Sequence, residues 1–309
     1  MRVEDLIKSI QEEQKQAKTE IYSKDGLMRL QEVAENYNGE YKLVWSDELV
    51  KEIKDRPKAI IHTTGIPKFD EIIGGFKEQQ LITLSGSTGH GKTSIGLFLA
   101  NQMESLSPVV IPLEQSNEEL ITQLLENEYR IPKFLSPRYN TDRVSVDWIE
   151  QRVIEGIAKF NTKLVIVDHL GYIKTPDSMQ RENLAFRTGE NMRALKNIAK
   201  RWNVIIFLLV HISQHDEGKP PSIEDIKNSS DISQESDIVM TVWVKNSLKN
   251  KVRIYEDKSM LSVLKNRRTG KRGNVGLIFD RSTGLFLEDN SWVEKMEESA
   301  KLQVESEDF

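Results

Sequence analysis

No cysteine occurs among the 309 residues. That excludes disulfides and any cysteine-ligated zinc or iron–sulfur site. Long apolar runs are missing too. The longest, Val204 to Val210, has strand length and falls far short of the ~18 residues of a membrane span. The opening stretch, Met1 to Gln14, is too polar for a secretory leader. These absences predict no membrane partner and a place in the cytoplasm, the host's if the source is viral. Nor is there an excess of positive charge. The net charge of −5 argues against a uniformly basic nucleic-acid coat, while leaving room for a local basic pore or groove. What is present, 38% hydrophobic and 29% charged residues, suits a globular chain with an ample core.

Three regions are expected. Residues 1–60 read as a short helical N-terminal extension. Val3, Leu6, Ile7 and Ile10 recur at helical spacing, Asn36 to Gly39 marks a loop, and Ser46-Asp47-Glu48 heads a second helix that Pro57 stops. This segment is highly charged and poor in large apolar residues, so it needs a surface to pack on: its own domain or a neighbouring subunit. Residues 61–290 alternate short apolar strands (81–85, 108–113, 163–168, 204–210, 238–244, 260–265, 274–279) with helices (93–104, 117–127, 147–159, 182–202). That pattern predicts an α/β fold with a mainly parallel twisted sheet and helices on both faces. Residues 291–309 read as an acidic, disordered tail.

The strongest local signal is Gly86-Ser87-Thr88-Gly89-His90-Gly91-Lys92-Thr93, followed by Ser94. It fits the G-x-x-x-x-G-K-[ST] loop that cradles nucleotide phosphates, with a buried strand before it and a helix after. Glycines let backbone N–H groups converge on an anion, and the helix N-terminus adds its positive end. Lys92 is suited to the β- and γ-phosphates and the Thr93 hydroxyl to Mg²⁺, which implies ATP or another NTP or dNTP as ligand.

Ligands of such sheets bind at the carboxyl ends of the strands. Leu164-Val165-Ile166-Val167-Asp168 delivers Asp168 there as a second Mg²⁺ residue. Val109 to Leu113 delivers Glu114, a candidate to polarise the attacking water; Glu118 and Glu119 remain possible but read as the first turn of a helix. Val204 to Val210 delivers His211, able to hydrogen-bond a γ-phosphate and report its loss to the following loop. The plainer readings are a turn aspartate, a solvated glutamate and a satisfied polar histidine. Lys265 and Arg267 follow a late strand, facing solvent or entering another subunit's phosphate site. Phe279 is the aromatic candidate for stacking on a base.

In order, these motifs resemble the hexameric replicative DNA helicases of the DnaB-like and Twinkle-like group, including phage primase-helicases. The similarity runs from Thr63 to Leu287: Thr64-Gly65 with Asp70 and Gly74-Gly75 at entry, the phosphate loop, Glu114, then Asp168-His169-Leu170. Arg193-Ala194-Leu195-Lys196, His211, Asp225 to Ser230 with Gln234 and Asp237, and Lys265-Asn266-Arg267 with Gly270 and Gly273 complete it. The resemblance implies a RecA-like fold, a homohexameric ring and 5′→3′ translocation on single-stranded DNA. It also implies Arg267 as a finger acting in trans, with Lys265 as its companion. The sensor is His211 rather than Gln214, and the N-terminal segment becomes a linker docked on the next subunit.

Two departures stand out. The DNA-facing loop from Gln214 to Ser230 holds few cations, so contacts fall to Lys219, Lys227, Asn228 and Ser229. The stretch before the shared region is short beside the collar or primase domain of such relatives, which calls for a separate primase and a helicase loader. The acidic end, with Phe309 last, suggests a contact with a replicative DNA polymerase. Two other readings compete: a RecA- or KaiC-like oligomeric ATPase without unwinding activity, and a nucleotide-stabilised scaffold. The late Lys265/Arg267 element favours the helicase, and the full set Lys92, Glu114, Asp168, His211 and Arg267 argues against the scaffold.

Overall fold

The computed structural model describes residues 43–55, 58–138, 144–174, 183–213, 215–226, 229–249 and 252–307. The chain divides into two units, Met1–Lys58 and Ala59–Phe309. In the first, helix α1 (Ser46–Asp55) carries Asp47 and Glu48 in its first turn and Lys54 in its last, each favoured by the helix dipole. None of its residues is buried, and Leu49, Val50 and Ile53 form an uncovered apolar stripe. The helix expected in the first twenty residues lies outside the described residues.

The second unit begins with helix α2 (Pro67–Ile73), opened by a proline in its first turn and closed by Gly74 at φ 69°. An eight-stranded sheet follows, in the order β2-β3-β4-β1-β5-β6-β7-β8. Its first part is parallel: β1 (Leu81–Gly86), β2 (Val109–Pro112), β3 (Leu164–Asp168), β4 (Ile205–His211) and the start of β5 (Ile238–Lys249). An antiparallel wing completes it: β6 (Val252–Asn266), β7 (Gly273–Asp280) and β8 (Leu285–Glu288). The mixed sheet with helices on both faces matches the expected α/β class.

Why the central strands read as solid apolar runs is visible in β4. Ile205, Phe207 and Leu209 enter one core with helix α3 (Lys92–Gln102). Ile206, Leu208 and Val210 enter the other with helices α5 (Val146–Phe160) and α6 (Leu184–Arg201). A strand buried on both faces has no polar side to show. Helix α4 (Asn117–Glu126) lies between β2 and α5 in the chain.

Strand β8 and helix α2 were not among the expected elements, and three further features departed from expectation. The β5–β6 hairpin runs well past the apolar segments, pairing as far as Lys249 with Val252, because a two-stranded ribbon satisfies its own backbone bonds whatever its side chains. Helix α7 (Ser229–Glu235) occupies part of the expected DNA-facing loop. Finally, the tail from Ser291 is not disordered through its first turns but forms helix α8 (Ser291–Glu307). Trp292 and Val293 are buried against Trp243 and Met260, with Met296 packed beside them. Asp289 accepts from Ser291 N and Ser291 Oγ at the helix start. Phe309, the expected polymerase contact, lies outside the described residues.

Candidate functional site

Because β1 to β4 are parallel, their carboxyl ends share one edge. Gly86 pairs with His211 and Pro112 with Asp168 in register, so the phosphate-loop candidate, Glu114, Asp168 and His211 converge there. Gly86 leaves β1 where a Cβ would sit 2.7 Å from Val242 O, so only glycine fits. Gly91 enters α3 at φ 83°, in the left-handed region.

Lys92 is buried and folded back on the loop, donating to Gly86 O and Ser87 O at 3.0 Å each. Burial pulls its pKa down, and the carboxylates of Asp168 and Glu114 oppose that shift. Thr93 Oγ1 donates to Asp168 Oδ2 at 2.6 Å. Burial pushes the Asp168 carboxyl up and Glu114 adds to it, while the Thr93 hydrogen bond and Lys92 pull it down. Asp168 Oδ1 is buried with no hydrogen-bond partner. An unpaired, buried carboxylate oxygen beside a threonine hydroxyl is a donor set that fits Mg²⁺ or one of its waters.

Glu114 Oε2 stands 3.5 Å from His211 Nε2. The His169 ring meets the His211 ring edge-on, with centroids 4.1 Å apart, and His169 Nδ1 accepts from Gly171 N at 2.8 Å. The ligand atoms of Glu114, His169 and His211 lie within 4.8 Å of one another. Glu119 is committed elsewhere: with Ser116 it closes a capping box at the head of α4, whereas Glu114 lines the cleft beside Lys92 and Asp168. A cleft of about 540 Å³ opens over these strand ends, lined by Thr88, Lys92, Glu114, Asp168, His211 and Phe279 among others. A second cleft of about 290 Å³ shares Thr88, Gly89 and Gly91 of the loop and is lined also by His90, Tyr255 and Arg281.

Lys265 and Arg267 are not at this edge. Lys265 Nζ donates to Ser236 O at 2.8 Å and to Ser233 O, holding the end of α7; burial lowers its pKa. Arg267 donates to Gln234 O, and its Nη1 lies 3.8 Å from Asp237 Oδ1. Asp237 in turn accepts from Leu81 N, at the start of β1. Arg267 is therefore separated from its own phosphate loop by the length of β1, about 16 Å at strand rise, with its side chain 53% exposed. Lys219 sits on the exposed loop after β4, where its N–H donates to Asp216 O at 3.0 Å. Gln214, Lys227 and Asn228 lie outside the described residues, as does the side chain of Ser229.

Some contacts matter that no short-range pattern revealed, although Lys196 and Asp237 themselves stood in the motifs named from the sequence. Lys196 Nζ reaches Gln79 O and Asp237 Oδ2 at 2.7 and 2.5 Å, tying α6 to the start of β1 and β5. Arg268 Nη2 donates to the carbonyls of Ile73, Gly74 and Gly75, capping α2. Tyr129 packs edge-on against Phe279 at 5.6 Å in the wall of the larger cleft. Most of these pairs join positions more than a hundred residues apart, and Lys196 with Asp237 spans 41, all beyond any periodicity.

The model of the DnaB-like helicase C-terminal domain matches residues 62–138 and 136–288. The probable replicative DNA helicase of Trieres chinensis is 26% identical over 259 residues, covering 73% of this chain and 57% of that protein. The replicative DNA helicase DnaB of Rickettsia typhi is 26% identical over 234 residues, covering 62% and 47%. The chain thus spans about half the length of these relatives. Among solved structures, a DnaB-like replicative helicase described together with its interactions with primase superposes with a TM-score of 0.65 at 17% identity, over 88% of this chain and 73% of that one.

Proposed function

The chain belongs to the family of the DnaB-like helicase C-terminal domain, and from that membership we propose that it is an NTP-hydrolysing replicative DNA helicase. It acts as a homohexameric ring, translocates 5′→3′ on single-stranded DNA and unwinds duplex at a fork. The observation that carries this reading is the joined pair Thr93–Asp168 beside Glu114 and His211, at the carboxyl ends of adjacent strands.

ATP or another NTP or dNTP occupies the larger cleft with its phosphates on residues 86–94. Lys92 leaves the loop carbonyls it now holds and turns to the β- and γ-phosphates. Thr93 and Asp168 would hold Mg²⁺, which would supply charge neutralisation at the phosphates. Glu114 orients the water that attacks the γ-phosphorus, the bond to the β-phosphate oxygen breaks, and the nucleoside diphosphate leaves. His211, 3.5 Å from Glu114, senses the γ-phosphate and passes its loss to the loop that follows β4. Phe279 lies in the cleft wall, where a base can stack.

Arg267 completes the site of the next subunit. Its own loop is a strand length away, and its exposed guanidinium stands where a neighbour can meet it, with Lys265 fixing the segment that presents it. The uncovered stripe of α1 supports a linker role for the N-terminal segment, docked on an adjacent subunit. DNA contacts come from Lys219, Lys227, Asn228 and Ser229 in the central channel. A separate primase, a loader and a replicative polymerase contacted through Phe309 complete the partners. Among the described residues no helix is long and apolar enough to cross a membrane, and a cytoplasmic site of action follows from the proposed role.

Electron microscopy with nucleotide and single-stranded DNA, together with unwinding of a forked duplex, tests this. Closed six-membered rings that unwind from a 5′ tail are expected. Filaments without unwinding would instead place the chain with strand-pairing or assembly ATPases. Binding of the polymerase that remains unchanged after deletion of Glu305 to Phe309 would remove that contact from the scheme.

A further inference from the structure

The loop after β4 is fastened to the β5–β6 hairpin chiefly through Glu217. Its carbonyl accepts from Trp243 Nε1 and from Asn246 Nδ2, both at 2.7 Å. Its carboxylate accepts from the Tyr255 hydroxyl at 2.7 Å and lies 3.4 Å from Arg253 Nε. The rest of the loop is largely braced on itself: Ser213 N donates to Asp225 O, Ser222 to the Asp225 carboxylate, and His215 stands 3.2 Å from that same carboxylate. Thr241 Oγ1 adds one longer bond, 3.3 Å to Pro221 O, so a shift of Glu217 disturbs most of the hydrogen bonds that tie this loop to the hairpin.

Tyr255 has a second contact. Its ring meets the His90 ring edge-on, with centroids 5.6 Å apart. His90 belongs to the phosphate loop and is 1% exposed. Its Nδ1 accepts from Val244 N at 3.4 Å, while Nε2 has no partner. A buried imidazole with one nitrogen unpaired is an under-satisfied group, ready to be reset by small shifts of its surroundings. Such a shift has a source. His90 N donates to Ser87 O, the carbonyl that also holds Lys92 Nζ. When Lys92 turns to a phosphate, Ser87 O loses one of its two donors, in the same turn that carries His90.

We propose that His90, Tyr255 and Glu217 are positioning residues that carry the state of the phosphate loop to the loop at residues 212–226, by a path that does not pass through His211. The path runs Lys92, Ser87, His90, Tyr255, Glu217, and each step is a contact already given. The inference rests on the reading that residues 86–94 bind nucleotide, and it holds whether or not the 212–226 loop touches DNA. Two connections from one phosphate site to one loop make the loop report two different things. His211 reads the γ-phosphate, whereas Tyr255 reads whether Lys92 is on the loop or on a nucleotide.

Hydrogen exchange of the full chain, with and without Mg²⁺ and a slowly hydrolysed ATP analogue, tests the path. In the wild-type chain the analogue should slow exchange at residues 86–94 and change it by roughly threefold or more at 212–226. Tyr255→Phe should keep the first effect and abolish the second. Glu217→Gln, whose amide oxygen still accepts from Tyr255, should retain the response, and Glu217→Ala should lose it. If both Tyr255→Phe and Glu217→Ala leave the nucleotide response at 212–226 intact, the path is wrong, even if exchange there rises equally with and without nucleotide. That uniform rise would mark a mere fastening. A wild-type chain that shows no protection at 86–94 would sink the nucleotide reading itself, a distinct failure.

Discussion

Thr93 and Asp168 are joined by a 2.6 Å hydrogen bond across 75 residues of sequence. One comes from the first turn of a helix and the other from the tip of a strand, so the bond exists only because α3 and β3 meet at the same sheet edge. The hydroxyl occupies one carboxylate oxygen and leaves the other buried and unpaired. Replacing Asp168 by Asn keeps the volume and an acceptor for Thr93 but removes the charge. Hydrolysis should fall roughly 10–100-fold, with partial recovery at high Mg²⁺, as for groups that hold a metal through water. Phosphate release measured across a Mg²⁺ titration checks this; an unchanged Mg²⁺ midpoint would count against the metal role.

Glu114 and His211 stand 3.5 Å apart as a second pair, for which we propose a different task. Glu114→Gln keeps size and hydrogen bonding but cannot take up a proton, so turnover should drop by about 10²–10⁴ while nucleotide binding survives. His211→Ala should leave DNA-free hydrolysis within about tenfold of wild type and abolish the dependence of DNA affinity on the γ-phosphate. Nucleotide affinity, turnover and DNA affinity measured on both variants separate the roles. Loss of nucleotide binding in Glu114→Gln would show the carboxylate acting on the fold rather than on water.

At the other end of β1, Lys196 and Asp237 form a largely buried ion pair that also takes in Leu81 N and Gln79 O. Removing one partner strands the other. Asp237→Ala should cost about 3–5 kcal/mol of stability, the usual toll for breaking a buried pair from one side. Urea unfolding gives the number. A cost below ~1 kcal/mol would mean the pair behaves as a surface contact.

How much of this was legible in the sequence follows from the range of each interaction. The candidate phosphate loop could be read because its pattern is local: glycines, a lysine and a threonine within eight residues. The strand tips Glu114, Asp168 and His211 could be placed because each ends an apolar run, and parallel strands put such ends together. The short helix at Ser229–Glu235 was missed because seven residues give too few turns for a periodic signal. The hairpin beyond Val244 was missed because Lys245, Asn246, Arg253 and Glu256 hide any alternation. The C-terminal helix was read as tail since its acids outnumber the three apolar residues, Trp292, Val293 and Met296, that anchor it. His90 was placed only as a loop residue, because its contacts to Val244 and Tyr255 span more than 150 residues.

Arg267 offers the sharpest test of the ring. Its guanidinium is tied near Asp237 and Gln234, at the end of β1 away from its own Lys92. No side-chain rotation spans a strand of that length, so any catalytic role must be played on another chain. Arg267→Ala alone should therefore lose roughly 10³–10⁵ in hydrolysis rate, as trans arginines do elsewhere. Lys92→Ala should be equally inactive for an independent reason, since it spoils the phosphate cradle. Mixed together, the two inactive variants should regain activity. Where a Lys92→Ala subunit presents its intact Arg267 to an intact cradle on an Arg267→Ala subunit, a complete site forms. The recovered rate should peak at intermediate mixing ratios and vanish at both extremes. A flat, inactive response at every ratio, with mixed oligomers confirmed by mass, would exclude Arg267 as the shared residue. Recovery would also show that the sites lie between subunits.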